Sequence, residues 1–152
     1  MSRAEKRSAA RLAAVQALYQ MEIAGAGIVD VLAEFESHWI GQEVEGDQYK
    51  PAEEAFFRDI VGGVVREQRK LDPMVDHALS EGWPLKRVDA ILRAILRAGV
   101  YEITQRLDIP PRVSISEYVD VAHAFLDRDE AGMVNAVLDK IARTERAAEL
   151  KG

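Results

Sequence analysis

The sequence contains no cysteine, which excludes disulfide cross-links and thiolate metal sites and suits a reducing compartment. It has no Gly-x-x-x-x-Gly-Lys-Ser/Thr loop and no His-Glu-x-x-His pair, so neither a P-loop nor a zincin-type metal site is written into it. Histidine is scarce: His38, His77 and His123 fall on separate segments. Asp120 and His123 share a helical face, but a di-metal bundle needs a second such motif and two further carboxylates, and the chain lacks the second motif. That pair, like the adjacent Glu53 and Glu54, reads as solvated. The expectation is no enzyme, no cofactor and no metal. No apolar run approaches the length of a membrane span, and the basic N-terminus lacks the apolar core of a signal peptide. A cytoplasmic protein without membrane contact is expected. No window alternates in the manner of a strand, and no repeat or low-complexity segment is visible.

What remains is helix. The 152 residues, 48% hydrophobic and 30% charged, suffice for one domain or two small halves sharing a core. From Glu5 to Ala24, apolar residues recur at three- and four-residue steps (Leu12, Val15, Leu18, Tyr19, Ile23) until Gly25 and Gly27 end the run. Ile28 to Ile40 reads as a second helix, and the polar stretch Gly41 to Pro51 as a loop. Ala52 to Lys70 is a third helix, stopped or kinked by Pro73, with a further short turn through Leu79. The fourth opens at Pro84 and Leu85. It is apolar over more than half its circumference, which places it in the middle of a bundle. Ser114 and Glu117 are spaced as a capping box for the fifth helix, with Val113 and Tyr118 as its hydrophobic staple. The fifth ends near Leu126, and a sixth takes Met133, Val134, Val137, Leu138 and Ile141 inward. The fold class is all-α. Pattern alone leaves open one six-helix bundle or two three-helix halves.

Charge is unevenly placed. The net charge is −6, yet residues 1–11 carry +3, residues 22–81 carry −9, residues 82–112 carry +3 and residues 113–152 carry −3. Local potential, not net charge, steers a phosphate backbone. Arg3, Arg7 and Arg11 are four apart, with Lys6 on the same broad side; on a helix they drift by only about 40° per step and form one ridge. Arginine's planar fork gives paired donors to phosphate oxygens. Tyr19, two turns beyond Arg11, is placed to stack an unpaired base, or else belongs to the core. Cations at a helix N-terminus oppose its dipole, a local conflict of the kind that marks functional sites. Arg93 reads as a structural ion pair, whereas Arg97 is either such a pair or a second phosphate contact. Asn135 reads as a buried hydrogen-bonder, and Gly62 and Gly63 as a close approach of another helix.

The chain resembles the NusB family almost end to end. The resemblance is carried by Arg11 with Val15-Gln16-Ala17-Leu18-Tyr19, by Phe57-Arg58-Asp59-Ile60-Val61-Gly62-Gly63-Val64 with Leu71-Asp72, and by Trp83 to Arg87. It continues through Ala94-Ile95-Leu96-Arg97, Tyr101-Glu102, Ile109-Pro110, Val113, Glu117, and Val134-Asn135 with Leu138-Asp139-Lys140. Each is weak alone; their joint order and spacing is specific. The resemblance implies six or seven helices in two three-helix bundles, with halves at about 1–82 and 83–147 and a frayed tail at 148–152. It implies a transcription antitermination factor that binds the single-stranded boxA element of ribosomal RNA leader transcripts together with the ribosomal protein NusE, within an RNA polymerase antitermination complex. Carried over by position, Arg7, Arg11, Gln16 and Tyr19 look like the RNA face, with Asp129 and Met133 as its other edge; Arg3, Lys6 and Arg97 complete the candidate set.

Departures from the family pattern are the diluted basic run Arg7-Ser8-Ala9-Ala10-Arg11, Ser116 for a frequent asparagine, Met133 for a frequent phenylalanine and Ala136 for a frequent glycine. Fewer arginines neutralise fewer phosphates, so weak RNA binding alone is expected, with the partner supplying basic surface. Two alternatives stand beside this reading. One is the related helical domain that precedes RNA cytosine methyltransferase modules, although this chain has no catalytic cysteine. The other is an interaction bundle that homodimerises and never meets RNA.

Overall fold

Helix periodicity organises the whole described chain. A computed structural model describes residues 2–44, 51–79 and 88–150, with side chains for 2–37, 54–79 and 88–150. Among the described residues seven helices occur in this order: α1 (Arg3–Ala24), α2 (Ile28–Val44), α3 (Pro51–Ala78), α4 (Ala90–Gln105), α5 (Pro111–Phe125), α6 (Arg128–Glu145) and the single turn α7 (Ala147–Leu150). None of the described helices is long and apolar enough to cross a membrane. The α1–α3 group and the α4–α6 group share one continuous core. The expected opening of the fourth helix at Pro84 and the half boundary at 82/83 lie outside the described residues.

α4 is the hub. Ten of its sixteen residues are buried, Leu92, Ile95, Leu96, Val100 and Ile103 among them, and it packs against α1, α3, α5 and α6. Pairing fixes directions. Arg11 meets Glu102 and Glu22 meets Arg93, so α1 and α4 are antiparallel. Asp72 meets Arg97 and Asp59 meets Arg106, so α3 and α4 are antiparallel too. Gly99 packs on Leu138, and Arg146 near the end of α6 reaches the carbonyls of Ile103, Leu107 and Ile109 at 3.4, 3.1 and 2.8 Å, so α4 and α6 run parallel. Arg146 thereby serves a carbonyl of the last turn of α4 and two of the connection that follows it.

Several local expectations are corrected. The helix-capping box of Ser-x-x-Glu type is at Ser2 and Glu5, where Glu5 N–H donates to Ser2 Oγ at 3.1 Å and starts α1 two residues early. Ser114 is not a cap: α5 begins at Pro111, Ser114 is buried and donates to Glu102 at 3.0 Å, and Val113 is exposed, away from any staple. α2 runs past Gly41 to Val44, since one glycine costs only about 1 kcal/mol. α3 continues through Pro73 because Leu71, Val75 and Leu79 extend its buried stripe. Asn135 is exposed. Residues 147–150 form a further turn, with Arg112 donating to the Leu150 carbonyl at 3.1 Å, where a frayed end was expected from 148.

The two adjacent glycines of α3 differ. A Cβ on Gly63 would sit 2.1 Å from the Tyr101 ring, whereas one on Gly62 meets nothing within 4 Å. Tyr101 is pinned there: its hydroxyl donates to Asp59 at 2.8 Å, and burial together with that carboxylate raises its pKa to about 12. Gly62→Ala should therefore raise stability by about 0.5–1 kcal/mol through helix propensity, and Gly63→Ala should lower it, since the Tyr101 ring must be displaced. Urea unfolding midpoints shifted the same way in both variants would contradict this packing.

Arg11 is the deepest cation of α1. Its Nε lies 3.1 and 3.0 Å from the two Glu102 oxygens, and its Nη2 is 2.6 Å from Glu102 Oε1. Its Nη1 donates to Glu117 at 2.8 Å. One guanidinium thus joins α1, α4 and α5, and Ser8 adds a bond from α1 to Glu117. Arg11→Met should cost about 3–5 kcal/mol, because Glu102 is left buried without its counter-charge. A wild-type unfolding midpoint for that variant would show that the pair does not hold α1 in place.

Candidate RNA interface

The ridge of α1 points inward, not outward. At about 100° per residue, Arg3, Arg7 and Arg11 lie on the side of the helix that carries the buried Ala10, Ala14 and Leu18. The drift of each step and the depth of the neighbouring elements then sort them. Arg11 is 2% exposed and locked to Glu102, so its expected role as a phosphate contact is replaced by a structural one. Arg7 is half-buried and Arg3 exposed. Lys6, at 7% exposure, is also buried and leaves the exposed set.

Arg3 and Arg7 line a groove of about 490 Å³ with Arg11, Asp108, Ile109, Pro110, Val113 and Glu117. Neither makes an ion pair among the described residues. Arg7 stacks over the Phe56 ring at 4.8 Å to the centroid, and Arg11 and Arg106 each approach the same ring at 5.1 Å. Cation–π contact of this kind holds a guanidinium without neutralising it. Desolvation lowers the pKa of Arg7, and repulsion from Arg3 and Arg106 adds to that. The result is a crowded, electropositive pocket at one end of the bundle, against a net charge of −6 for the whole chain.

Gln16 and Tyr19 occupy the opposite face of α1. Tyr19 is 38% exposed, so its ring is available, and Leu12, Gln16 and Ile23 lie on the same outer stripe. Twelve residues separate Arg7 from Tyr19, a rise of about 18 Å and a rotation of about 120°. Asp129 is exposed and Met133 rests partly on the core. Both lie toward the start of α6. The side chain of Glu130 faces Asp89, next to α4, and Arg93 of α4 pairs with Glu22 near the end of α1. Asp129 and Met133 are thus at the Tyr19 end, away from Arg3 and Arg7.

Arg97 is bidentate to Asp72, with Nε–Oδ1 at 2.8 Å and Nη2–Oδ2 at 2.9 Å, and is largely covered. Its fork is occupied by an internal carboxylate. Arg93 makes the structural pair the sequence suggests, with Glu22 and with the Val88 carbonyl at 2.8 Å. The sequence reading missed Phe56 as an arginine platform, Glu102 as the counter-ion of Arg11, and Arg106. The last sits in the second basic segment, and that excess of charge was the one available signal.

The family comparison agrees with this architecture. The NusB family profile matches residues 8–143. The chain is 72% identical over 147 residues to the transcription antitermination protein NusB of Nitrobacter hamburgensis, covering 97% of this chain and 92% of that one. It is 71% identical over 147 residues to the NusB of Bradyrhizobium diazoefficiens, covering 97% and 89%. Among solved structures, NusB of T. maritima superposes with a TM-score of 0.80 at 25% identity, covering 96% of this chain and 97% of that chain. A NusB chain solved with NusE and double-stranded RNA superposes with a TM-score of 0.74 at 25% identity, covering 95% and 99%. Relatives of this kind are transcription antitermination proteins, not enzymes, and this chain belongs to the NusB family.

Proposed function

We propose that the chain is a cytoplasmic transcription antitermination factor that binds single-stranded boxA-type RNA of ribosomal RNA leaders jointly with NusE, as part of an RNA polymerase antitermination complex. The observation that carries this reading is the pair Arg3 and Arg7: guanidinium groups without an ion-pair partner among the described residues, in a groove, on an acidic protein. Arg11, Arg93, Arg97 and Arg106, by contrast, are all paired with carboxylates. Two cations without an ion-pair partner among the described residues, one of them steadied over the Phe56 ring, are suited to a phosphate backbone.

The layout of the remaining candidates supports a polymer in preference to a small ligand. Arg3 and Arg7 are at one end, Gln16 and Tyr19 on the outer face of α1, and Asp129 and Met133 at the far end. An extended strand can pass from the groove around α1, with bases splayed against Tyr19 and near the start of α6. Two arginines make for modest affinity, so a basic partner is expected to complete the surface. The solved NusB–NusE–RNA assembly supports that partnership. The nearly full-length correspondence with NusB proteins favours this reading over a helical appendage of an RNA methyltransferase.

The test is binding of a boxA-type single strand, a scrambled strand and a duplex, each with and without NusE, across a salt series. Arg3→Ala/Arg7→Ala should weaken binding and flatten the log-affinity against log-salt slope by about 1.4, the loss of two single-strand phosphate contacts. An unchanged slope would remove the groove from the interface. Tighter binding of the duplex than of the boxA strand would overturn the single-strand reading. Light scattering of the same samples distinguishes assembly with NusE from self-association.

A further inference from the structure

Arg106 is the arginine that the proposed interface does not yet use. It leaves the end of α4 as its C-cap residue and reaches back to the Phe56 ring that also carries Arg7. Its three donor directions are spoken for in two different ways. Nη1 donates to Asp59 at 2.9 Å, and Asp59 is itself fixed by the Tyr101 hydroxyl at 2.8 Å. The Nε and Nη2 edge faces Asp108, with both distances 3.0 Å. That edge is the one that a planar guanidinium offers to two oxygens of a phosphate. Asp108 therefore presents a pair of carboxylate oxygens where a phosphate would present its own.

The two carboxylates differ in how firmly they are held. Asp59 is on α3 and bonded to a buried tyrosine. Asp108 is on the short connection between α4 and α5, its side chain 56% exposed, and it lines the groove with Arg3 and Arg7. The Asp108 carboxylate is open to solvent and loses little hydration by turning outward, so it can give way to another anion. The pull of Asp108 on Arg7 also opposes the repulsion that Arg3 and Arg106 exert there. Asp108 thus acts as the counter-ion of Arg106 at the groove, as Glu117 does for Arg11.

We propose that Arg106 is a third phosphate-binding arm of this groove, capped by Asp108 until an RNA phosphate takes the place of that carboxylate. The proposal rests on the RNA-binding reading above. In the exchange, the Nε and Nη2 hydrogens pass from Asp108 to two phosphate oxygens, Asp108 turns into solvent, and Asp59 keeps the guanidinium oriented over Phe56. No proton moves. RNA then meets Arg106 beside Arg3 and Arg7, at the edge of the groove where Asp108 and the Phe56 ring hold it.

The experiment is a double-mutant cycle on the boxA-type single strand at several salt concentrations, with melting curves to show that each variant is folded. Asp108→Asn should tighten binding about two- to fivefold, the range expected for releasing one exposed ion pair. Arg106→Gln should weaken it and flatten the salt slope by about 0.7, one single-strand phosphate contact. In the Arg106→Gln background, Asp108→Asn should give no gain. If the gain persists there, Asp108 acts only through its charge and the cap is refuted; no gain in either background refutes it as well. As a second readout, the Arg106 Nε–H resonance should shift on adding RNA to wild type, and a stationary resonance would refute the proposal even if a variant misfolds. Wild type that fails to bind the strand sinks the underlying reading, whereas binding that depends on Arg3 and Arg7 but ignores Arg106 and Asp108 sinks this inference alone.

Discussion

The buried pair of Arg11 and Glu102 sets the geometry on which the rest of the site depends. A charge taken out of water is tolerated only with its counter-charge and its remaining hydrogen bonds in place. Here Glu102 receives Arg11 and Ser114, and Arg11 also reaches Glu117. Apolar side chains alone would allow α1 to turn or slide with small losses. A fork meeting a carboxylate has one good orientation, so it fixes how α1 is rotated against α4 and α5. Arg7 lies one turn before Arg11 and Arg3 two turns before it. Their directions follow from that rotation, and the Phe56 ring then steadies Arg7.

The same constraint explains how an acidic protein can present a cationic site. The arginines around α4 are paired with internal carboxylates: Arg93 with Glu22, Arg97 with Asp72, and Arg106 with Asp59 and Asp108. The pairs with Glu22, Asp72 and Asp59 bind α1 and α3 to α4, and all four cancel charge locally. In the groove at the start of α1 cancellation is incomplete, since Arg3 and Arg7 make no ion pair among the described residues. Its cations are close enough to repel one another, and Asp108, whose pKa falls to about 2 beside Arg106, stays ionised at every physiological pH. Rigid placement and unsatisfied charge in one groove are what an anionic polymer can exploit.

Much of the fold was legible because helix periodicity is a strong signal. The central place of α4 followed from an apolar surface too wide for a peripheral helix, and the end of α1 followed from Gly25, which adopts φ +66°. Errors came where two readings of one local pattern compete. Ser114 and Glu117 have capping-box spacing, yet both turn inward to serve Arg11 and Glu102. Asn135 sits in an apolar run but on the exposed side of α6. Pro73 is tolerated because burial on both sides of it outweighs one lost hydrogen bond. For the site, sequence showed that Arg3, Arg7 and Arg11 share a helix side but not that the side faces the core. That distinction depends on Glu102, ninety-one residues away from Arg11, and no local pattern announces it.

The arginines of the groove can act on RNA only while α1 is held against α4. The most direct test is Glu102→Gln, which leaves Arg3, Arg7 and Arg106 in the sequence and removes the charge that pins α1. Hydrogen exchange of the α1 amides and affinity for the boxA-type strand should be measured on the same sample. Loss of protection along α1 together with loss of affinity is the predicted result. An α1 that exchanges freely while RNA binding stays at the wild-type level would contradict it.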